Sequence, residues 1–240
     1  MRNVSGKDRR NSYNINIETP EKQRYTKTLE IISRYPHKRI LDVGCAGMPG
    51  ETDILSGNWL HGFIVSQFPE SEVIGIDINK EAVEILKERG YNVELMDAEN
   101  FNFEKKFDVI VAAELIEHLN NPGTFMSSCA RNLKDGGVLI ISTPYPFNLD
   151  YFMSNHFKKG GFEPGRGHTA WFCPKTLGEL AKRYGFKMKE VHFVEYNYQP
   201  EKYTSLRSFV YHKLLKSFIR FIGFSKLFRG GFISVLQLKE

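Results

Sequence analysis

Short apolar runs alternate with segments of helical periodicity through most of the chain, and together they predict a layered α/β fold. The apolar runs occupy residues 40–43, 72–77, 92–97, 107–112 and 138–142. Between them, apolar residues recur every three to four positions, which is the spacing of an amphipathic helix. Nearly continuous apolar strands that alternate with helices are typical of a parallel sheet covered on both faces.

Two further strands are predicted near the C-terminus, at residues 186–196 and 231–238. We therefore expect a doubly wound, Rossmann-like, seven-stranded and mostly parallel sheet with helices on both faces. Ligands of such sheets bind beyond the carboxyl ends of the strands. The residues that directly follow the strands are therefore candidates for a binding site.

Capping residues set the predicted limits of several helices. Asn79 and Asn121 each precede a helical segment and are favoured N-cap residues. Pro122 and Pro174 suit the first turn of a helix, and Gly185 is suited to end the helix that Pro174 begins.

Three segments differ from the alternating pattern. Residues 1–18 are polar and basic without periodicity, which predicts a mobile N-terminal arm before a domain at 19–240. Residues 144–172 are rich in proline, glycine and aromatic residues, and we expect a substrate loop there because connections of this length usually have a function. Residues 200–230 predict a basic amphipathic helical insertion.

Composition and charge narrow the class of protein. The 240 residues are 41% hydrophobic, enough for one domain with a substantial core. Without an apolar run of ~18 residues or the body of a signal peptide, we expect a cytoplasmic protein. Its three cysteines show no metal-binding spacing, and an odd number argues against a disulfide framework.

The net charge of +5 is concentrated in one segment. Residues 203–232 carry six Lys and Arg residues and no acidic residue. One interpretation is that residues 203–230 lie on a membrane surface. An equal alternative is a helix packed on its own domain or at a homodimer interface. Nucleic acid is the least favoured partner, because no recognised RNA-binding module accompanies the charge.

A glycine-rich turn follows the strand at residues 40–43, with glycines at 44, 47 and 50. Such a turn lets bare backbone approach a nucleotide, although by itself it is a weak signal. Its spacing is not that of the dinucleotide fingerprint, which disfavours NAD. Asp77, at the end of the second strand, is placed to accept hydrogen bonds from two ribose hydroxyls.

Over roughly residues 37–195 the chain resembles the class I S-adenosylmethionine (SAM) dependent methyltransferases. The resemblance rests on motifs in the expected order: Ile40–Cys45, Val73–Asp77, Met96–Ala98, Phe107–Val111, Glu114–His118, and Leu133–Gly137 followed by Thr143 and Pro144. Within that superfamily the chain is most similar to the small-molecule branch that includes the ubiquinone-biosynthesis O-methyltransferases.

The resemblance implies a SAM site. Asp42 and Gly44 would shape its methionine end, Asp97 would meet the adenine amino group, and Ala113 would face the sulfonium. The match departs at Ala46, which replaces a glycine usual in the family. The complete set of expected cofactor-binding residues is Asp42, Gly44, Cys45, Ala46, Asp77, Ile78, Asp97, Ala98, Ala113 and Glu114.

Glu114, Glu117 and His118 have the spacing of one helical face, so we expect their side chains to converge. In one interpretation His118 is a general base for a substrate hydroxyl. In the other, these three residues and His168 bind Mg or Mn, an arrangement that resembles the ubiquinone-pathway O-methyltransferases and small-RNA 2′-O-methyltransferases. Under either interpretation Glu117, His118 and His168 are the expected catalytic residues. A third possibility is that this turn only caps and packs.

The sequence therefore predicts a SAM-dependent methyltransferase that acts on a hydroxyl of a small or lipid-linked acceptor. Two alternatives stay open at this point: an RNA 2′-O-methyltransferase, and a protein that binds SAM or a membrane without catalysis.

Overall fold

A computed structural model of the protein describes residues 20–47, 59–148, 167–194 and 229–239. The expected arm, most of the expected substrate loop and nearly all of the expected basic insertion lie outside these ranges. The limits predicted for those segments therefore stay predictions.

The described residues form helices and strands in alternation. The helices are α1 (Pro20–Ser33), α2 (Leu60–Gln67), α3 (Lys80–Glu88), α4 (Pro122–Asn132) and α5 (Pro174–Arg183). The strands are β1 (Arg39–Val43), β2 (Glu72–Asp77), β3 (Val93–Leu95), β4 (Phe107–Ala113), β5 (Leu133–Pro144), β6 (Phe186–Val194) and β7 (Gly231–Leu238). A single 3₁₀ turn, Ile116–His118, follows β4.

In the described part of the chain, seven strands form one sheet in the order β3-β2-β1-β4-β5-β7-β6. Strands β1 to β5 pair in parallel, whereas β7 runs antiparallel to both of its neighbours. This confirms the predicted seven-stranded, mostly parallel sheet. The order also brings the carboxyl ends of β1, β2 and β4 side by side.

Each central strand contributes side chains to two cores, because successive residues of a strand point to opposite faces. On one face Leu41, Ile110 and Leu139 pack with α4 and α5. On the other face Ile40 and Val109 pack with α1 and α2. Helices therefore cover both faces, as predicted.

The predicted helix caps are present. The side-chain oxygen of Asn79 accepts a hydrogen bond from the Ala82 N–H at 3.2 Å, and that of Asn121 accepts one from the Thr124 N–H at 3.3 Å. Each bond satisfies an N–H at the start of a helix that has no partner within the helix.

Two strands, β3 and β5, differ most from their predicted limits. Strand β3, at one edge of the sheet, has three residues, Val93–Leu95, and is shorter than the predicted 92–97. Strand β5 starts at Leu133, upstream of the predicted 138, and its register against β4 shifts between Phe107 and Val109. Gly136 adopts a φ of +73° in this irregular stretch. Residues 133–137 thus form an irregular extension of the strand.

Among the helices of the described segments, none combines the length and the apolarity that crossing a bilayer requires.

Candidate functional site

The glycine turn after β1 is held against the end of β2. The N–H groups of Gly44 and Cys45 donate to the carbonyl of Ile76 at 2.8 and 3.1 Å. Gly44 has a φ of +78°, and a Cβ there would lie 3.2 Å from Cδ1 of Leu115. The turn therefore needs glycine for its backbone conformation and for the close approach of the segment after β4.

Asp77 connects the end of β2 to the same turn. Its Oδ2 accepts the Ala46 N–H at 3.0 Å, and its Oδ1 accepts the Asn79 N–H at 2.9 Å. Burial raises the pKa of the carboxyl above its ordinary value, while these N–H groups act against the shift. The neighbouring Ile78 is 73% exposed, which places a large apolar side chain at the mouth of the site.

The expected cofactor residues of the first strand and turn are buried. The Asp42 carboxylate, 3% exposed, accepts a hydrogen bond from His61. Cys45 and Ala46 pack into a small apolar cluster with Val83 and other residues of this layer. The side chains of Cys45 and Ala46 therefore face the interior and not a ligand.

Asp97, Ala98 and Ala113 lie at the same edge of the sheet. The Met96 N–H donates to the Asp77 carbonyl at 3.0 Å, which brings the segment after β3 beside the end of β2. Asp97 is exposed, and its Oδ1 accepts the Glu99 N–H at 2.8 Å. Ala98 and Ala113 are half-buried against opposite cores.

Glu114 does not share a helical face with Glu117 and His118, so that prediction is wrong. Its φ of +53° lies in the left-handed region, and the helical turn begins only at Ile116. The Glu114 carboxylate accepts a hydrogen bond from Ser142 Oγ at 2.9 Å and pairs with Arg24 at 3.4 Å. Burial raises the pKa of Glu114, against the effect of Arg24.

Three of the four predicted metal ligands do come together. Within the described ranges, one possible ligand atom from each of Glu117, His118 and His168 lies within 4.8 Å of the other two. Glu114 is outside this group, because its carboxylate is turned towards Arg24. The four-ligand set is therefore corrected to three residues.

Glu117 is the buried member of this three-residue cluster. It is 2% exposed, and its Oε2 accepts a hydrogen bond from Thr143 Oγ1 at 2.9 Å. Its Oε1 is buried without a hydrogen-bond partner. Burial, followed by repulsion from the Glu114 carboxylate, raises the pKa of Glu117 to about 8.

The two histidines meet edge to face, with ring centroids 4.7 Å apart. His118 Nδ1–H donates to the Gly167 carbonyl at 3.2 Å, which leaves Nε2 as its basic nitrogen. His168 Nδ1 is buried without a partner, and burial lowers the pKa of His168, so its ring is neutral at pH 7. A neutral imidazole is the form that binds metals.

Backbone hydrogen bonds place His168 against the 3₁₀ turn. The N–H groups of Thr169 and Ala170 donate to the Glu117 carbonyl at 2.7 and 3.3 Å. Thr169 Oγ1 donates to the Leu119 carbonyl at 2.6 Å. The end of the expected substrate loop is thereby fixed beside Glu117.

The donor set fits a divalent cation. A carboxylate oxygen and an imidazole nitrogen, both buried without partners, are atoms that a bound cation would satisfy. One carboxylate and two imidazoles suit divalent first-row metals such as Mn or Zn, and they suit Mg only when most of its ligands are oxygens from substrate or solvent.

Sequence reasoning did not single out several residues of this site. Arg24 lies on α1, 90 residues before its partner Glu114. His61 is buried on α2, and Ser142 is buried near the end of β5. A charged residue on the apolar side of the first helix was the one available signal, and it pointed to no particular partner.

Comparison with known proteins identifies relatives over most of the chain. The family model described as a methyltransferase domain matches residues 21–191. A ubiquinone biosynthesis O-methyltransferase of Coxiella burnetii is 35% identical over 170 residues, which cover 67% of this chain and 68% of that protein. The mitochondrial one of Rattus norvegicus is 30% identical over 166 residues, which cover 66% of this chain but 47% of that protein.

Solved structures agree in fold. An S-adenosylmethionine-dependent methyltransferase from Clostridium acetobutylicum superposes with a TM-score of 0.59 at 12% identity, covering 94% of this chain and 95% of that one. The N-methyltransferase NodS from Bradyrhizobium japonicum, in complex with S-adenosyl-L-homocysteine (SAH), gives a TM-score of 0.58 at 15% identity, covering 95% and 92%. At these identities the likeness concerns the fold.

Proposed function

Because the chain belongs to the SAM-dependent methyltransferases, we propose that it transfers a methyl group from SAM to a hydroxyl of a small or lipid-linked acceptor. One observation carries this proposal: Leu115 lies against Gly44 of the cofactor turn, immediately before the turn that carries Glu117 and His118. The expected cofactor site and the cluster of proton-accepting groups are therefore adjacent.

The residues at the sheet edge fit SAM. The turn at Gly44 has a left-handed backbone that favours glycine, Asp77 offers a buried carboxylate, and Ile78 presents an exposed apolar side chain. These groups would hold the methionine end, the ribose and the adenine, respectively. SAM supplies an activated methyl group, so the protein mainly has to align the acceptor and exclude water.

His118 is the proposed general base. Its Nδ1–H is committed to the Gly167 carbonyl, so Nε2 accepts the proton of the acceptor hydroxyl. Such proton transfer contributes roughly 10²–10⁴-fold in rate. His168 packs edge on against His118 and against Trp171, whose ring centroid lies 5.7 Å away, and thereby limits the positions open to the acceptor.

A divalent cation, Mg or Mn, is the alternative to a His118 base, because Nε2 of His118, which its bond to Gly167 leaves available, cannot both bind a cation and accept a proton. One oxygen of Glu117 and a ring nitrogen from each of His118 and His168 would hold it. When bound, it would lower the pKa of a coordinated hydroxyl and orient that group. The support is the pair of buried, unpartnered atoms on Glu117 and His168.

The choice of a hydroxyl acceptor is supported by relatives named O-methyltransferases. The proposals of a cytoplasmic location and of a membrane-surface role for residues 203–230 are supported by sequence patterning alone. Liposome co-sedimentation of the full chain and of a variant lacking 203–230 tests the surface role, which fails if neither protein pellets.

The central experiment is methyl transfer from labelled SAM to a panel of phenols, lipid-linked phenols and RNA. Label in a phenol supports the proposal, and label confined to RNA replaces it with RNA methylation. Absence of SAM binding in calorimetry overturns it altogether.

With an active acceptor, His118→Ala should lower turnover by roughly 10²-fold or more if His118 is the base. If a cation acts at the cluster instead, chelation should abolish turnover and added Mg or Mn should restore it, whereas full activity under chelation excludes the metal.

A further inference from the structure

His61 is a buried histidine that the proposed reaction does not use. It lies near the start of α2 and is 0% exposed. Its Nδ1–H donates to Oδ2 of Asp42 at 3.0 Å. Asp42 precedes Gly44 by two residues, so the imidazole contacts the strand that carries the glycine turn.

The sheet leaves space for this imidazole. Gly75 pairs with Asp42 across β1 and β2. A Cβ at Gly75 would lie 2.8 Å from Cε1 of His61 and 2.6 Å from Sγ of Cys45. The ring therefore occupies space that a side chain on β2 would need.

Packing alone does not account for an imidazole at this position. His61 Nε2 is buried without a hydrogen-bond partner, and leaving a buried nitrogen unpaired destabilises the fold. An apolar side chain of similar size would fill the space without that loss. The hydrogen bond to Asp42 is what the imidazole adds.

The start of α2 fixes the turn at a second point as well. Trp59 Nε1–H donates to the carbonyl of Cys45 at 2.9 Å. On the other side, the Ala46 N–H is held by Asp77. The turn is therefore fixed from β2 through Asp77 and from α2 through Trp59, while His61 fixes the carboxylate next to it.

We infer that His61 is a positioning residue for the cofactor: by donating to Asp42, it fixes the carboxylate beside the glycine turn and with it the backbone that receives the methionine end of SAM. The inference rests on the proposed function, because it assigns SAM to this turn. His61 itself would touch neither SAM nor the acceptor.

Three substitutions of His61 in the full chain test this role by calorimetric titration with SAM and with SAH. His61→Asn keeps an N–H donor near the position of Nδ1, His61→Gln moves the donor to the position of Nε2, and His61→Leu removes it. Because a hydrogen bond to a charged group is lost, Gln and Leu should weaken binding by roughly tenfold or more. Asn should stay within about threefold of the parent.

Equal binding by the Asn and Gln variants, or parental binding by the Leu variant, overturns the inference. The Asn and Gln variants both place an amide in the same cavity, so their comparison decides the matter even if the Leu variant fails to fold. His37→Asn is a matched control, since His37 bonds the Tyr35 carbonyl before β1 and should leave SAM binding unchanged. A parent that binds no SAM overturns the proposed function instead, so the two failures are distinguishable.

Discussion

Glu117 has two carboxylate oxygens in different environments. Oε2 is bonded to Thr143, whereas Oε1 is buried without a partner. With a pKa raised to about 8 by burial and by Glu114, the metal-free carboxyl is mostly protonated at pH 7. A cation at this site would therefore displace a proton, which makes its binding dependent on pH.

We predict that the stability of the metal-free protein falls as pH rises because of Glu117. The folded-state pKa of about 8 exceeds the ordinary value of 4.5, so the folded state holds more protons than the unfolded state between these values. The resulting loss of folding stability is absent below pH 4.5 and complete above about pH 8. Glu117→Gln should remove this pH-dependent loss of stability. The variant should therefore be more stable than the parent at pH 8.5, by on the order of a few kcal/mol.

Urea unfolding with chelator present, at about pH 4.5 and about pH 8.5, measures this difference. Glu104→Gln, a substitution of an exposed carboxylate, is the control and should follow the parent at both values. A Glu117→Gln variant whose stability changes with pH as much as that of the parent would contradict the assignment.

Cys173 differs from the other two cysteines in its reactivity. Burial by itself would raise the pKa of Cys173, but hydrogen bonds from Thr176 and from nearby backbone N–H groups outweigh it and bring the pKa below 9.0. Burial holds the pKa of Cys45 and of Cys129 well above that value. The thiolate, which is the reactive form, is therefore most populated at Cys173.

We accordingly predict that iodoacetamide modifies Cys173 in the folded protein, and Cys45 and Cys129 only after unfolding. Thr176→Ala should slow the reaction several-fold near pH 7.5, because it raises the pKa of the thiol. Mass spectrometry of peptides after timed quenching gives the rates, with Thr124→Ala, at the start of another helix, as control. Equal native rates at all three cysteines would refute the prediction.

At the scale of elements, the glycine turn lies between the end of β2 and the segment that follows β4. Hydrogen bonds to Ile76 hold it from one side, and Leu115 packs against Gly44 on the other. The turn thus lies between the expected cofactor site and the proposed catalytic cluster.

Gly44→Ala should weaken SAM binding by roughly tenfold or more, because the new Cβ strains the backbone and displaces Leu115. Gly90→Ala is the matched control: its φ of +83° imposes similar strain, but nothing lies within 4 Å of its Cβ position. Both variants should lose about 1–2 kcal/mol of stability, and only Gly44→Ala should lose affinity in calorimetry. Similar affinities for the two variants would show that the shape of the turn does not matter.

At the scale of the whole molecule, the expected cofactor site lies where strands with side chains in both cores end. A ligand bound at this edge stabilises the whole folded domain, because it binds the folded state and not the unfolded chain.

SAM at 100 times its dissociation constant should therefore stabilise the protein by ~2.7 kcal/mol. This corresponds to a rise of about 5–10 °C in the melting temperature for a domain of this size. NAD at the same concentration should produce no shift, because the glycine turn lacks the dinucleotide spacing. Differential scanning fluorimetry measures both, and a comparable shift with NAD would argue against the assignment of the cofactor.

The predicted fold is confirmed, and it was predictable because local sequence patterns specify its strands and helices. Apolar runs specify buried strands, and Asn79 and Asn121 cap the helices that follow them. The SAM-dependent methyltransferase class is confirmed by the family match. The roles of individual cofactor residues, the acceptor and the metal stay predictions.

The sequence by itself determined which elements form, which residues end the strands and which family the chain resembles. The tertiary structure alone decided which side chains are partners: Arg24 with Glu114, Asp42 with His61, and Glu117 with two histidines. It also showed that Glu114 does not lie on the predicted helical face, because its backbone is in the left-handed region. The physical reason is that such contacts join residues distant in sequence, such as His118 and Gly167, 49 positions apart. The packing of helices on the sheet determines these contacts, and no local periodicity of the sequence encodes that packing.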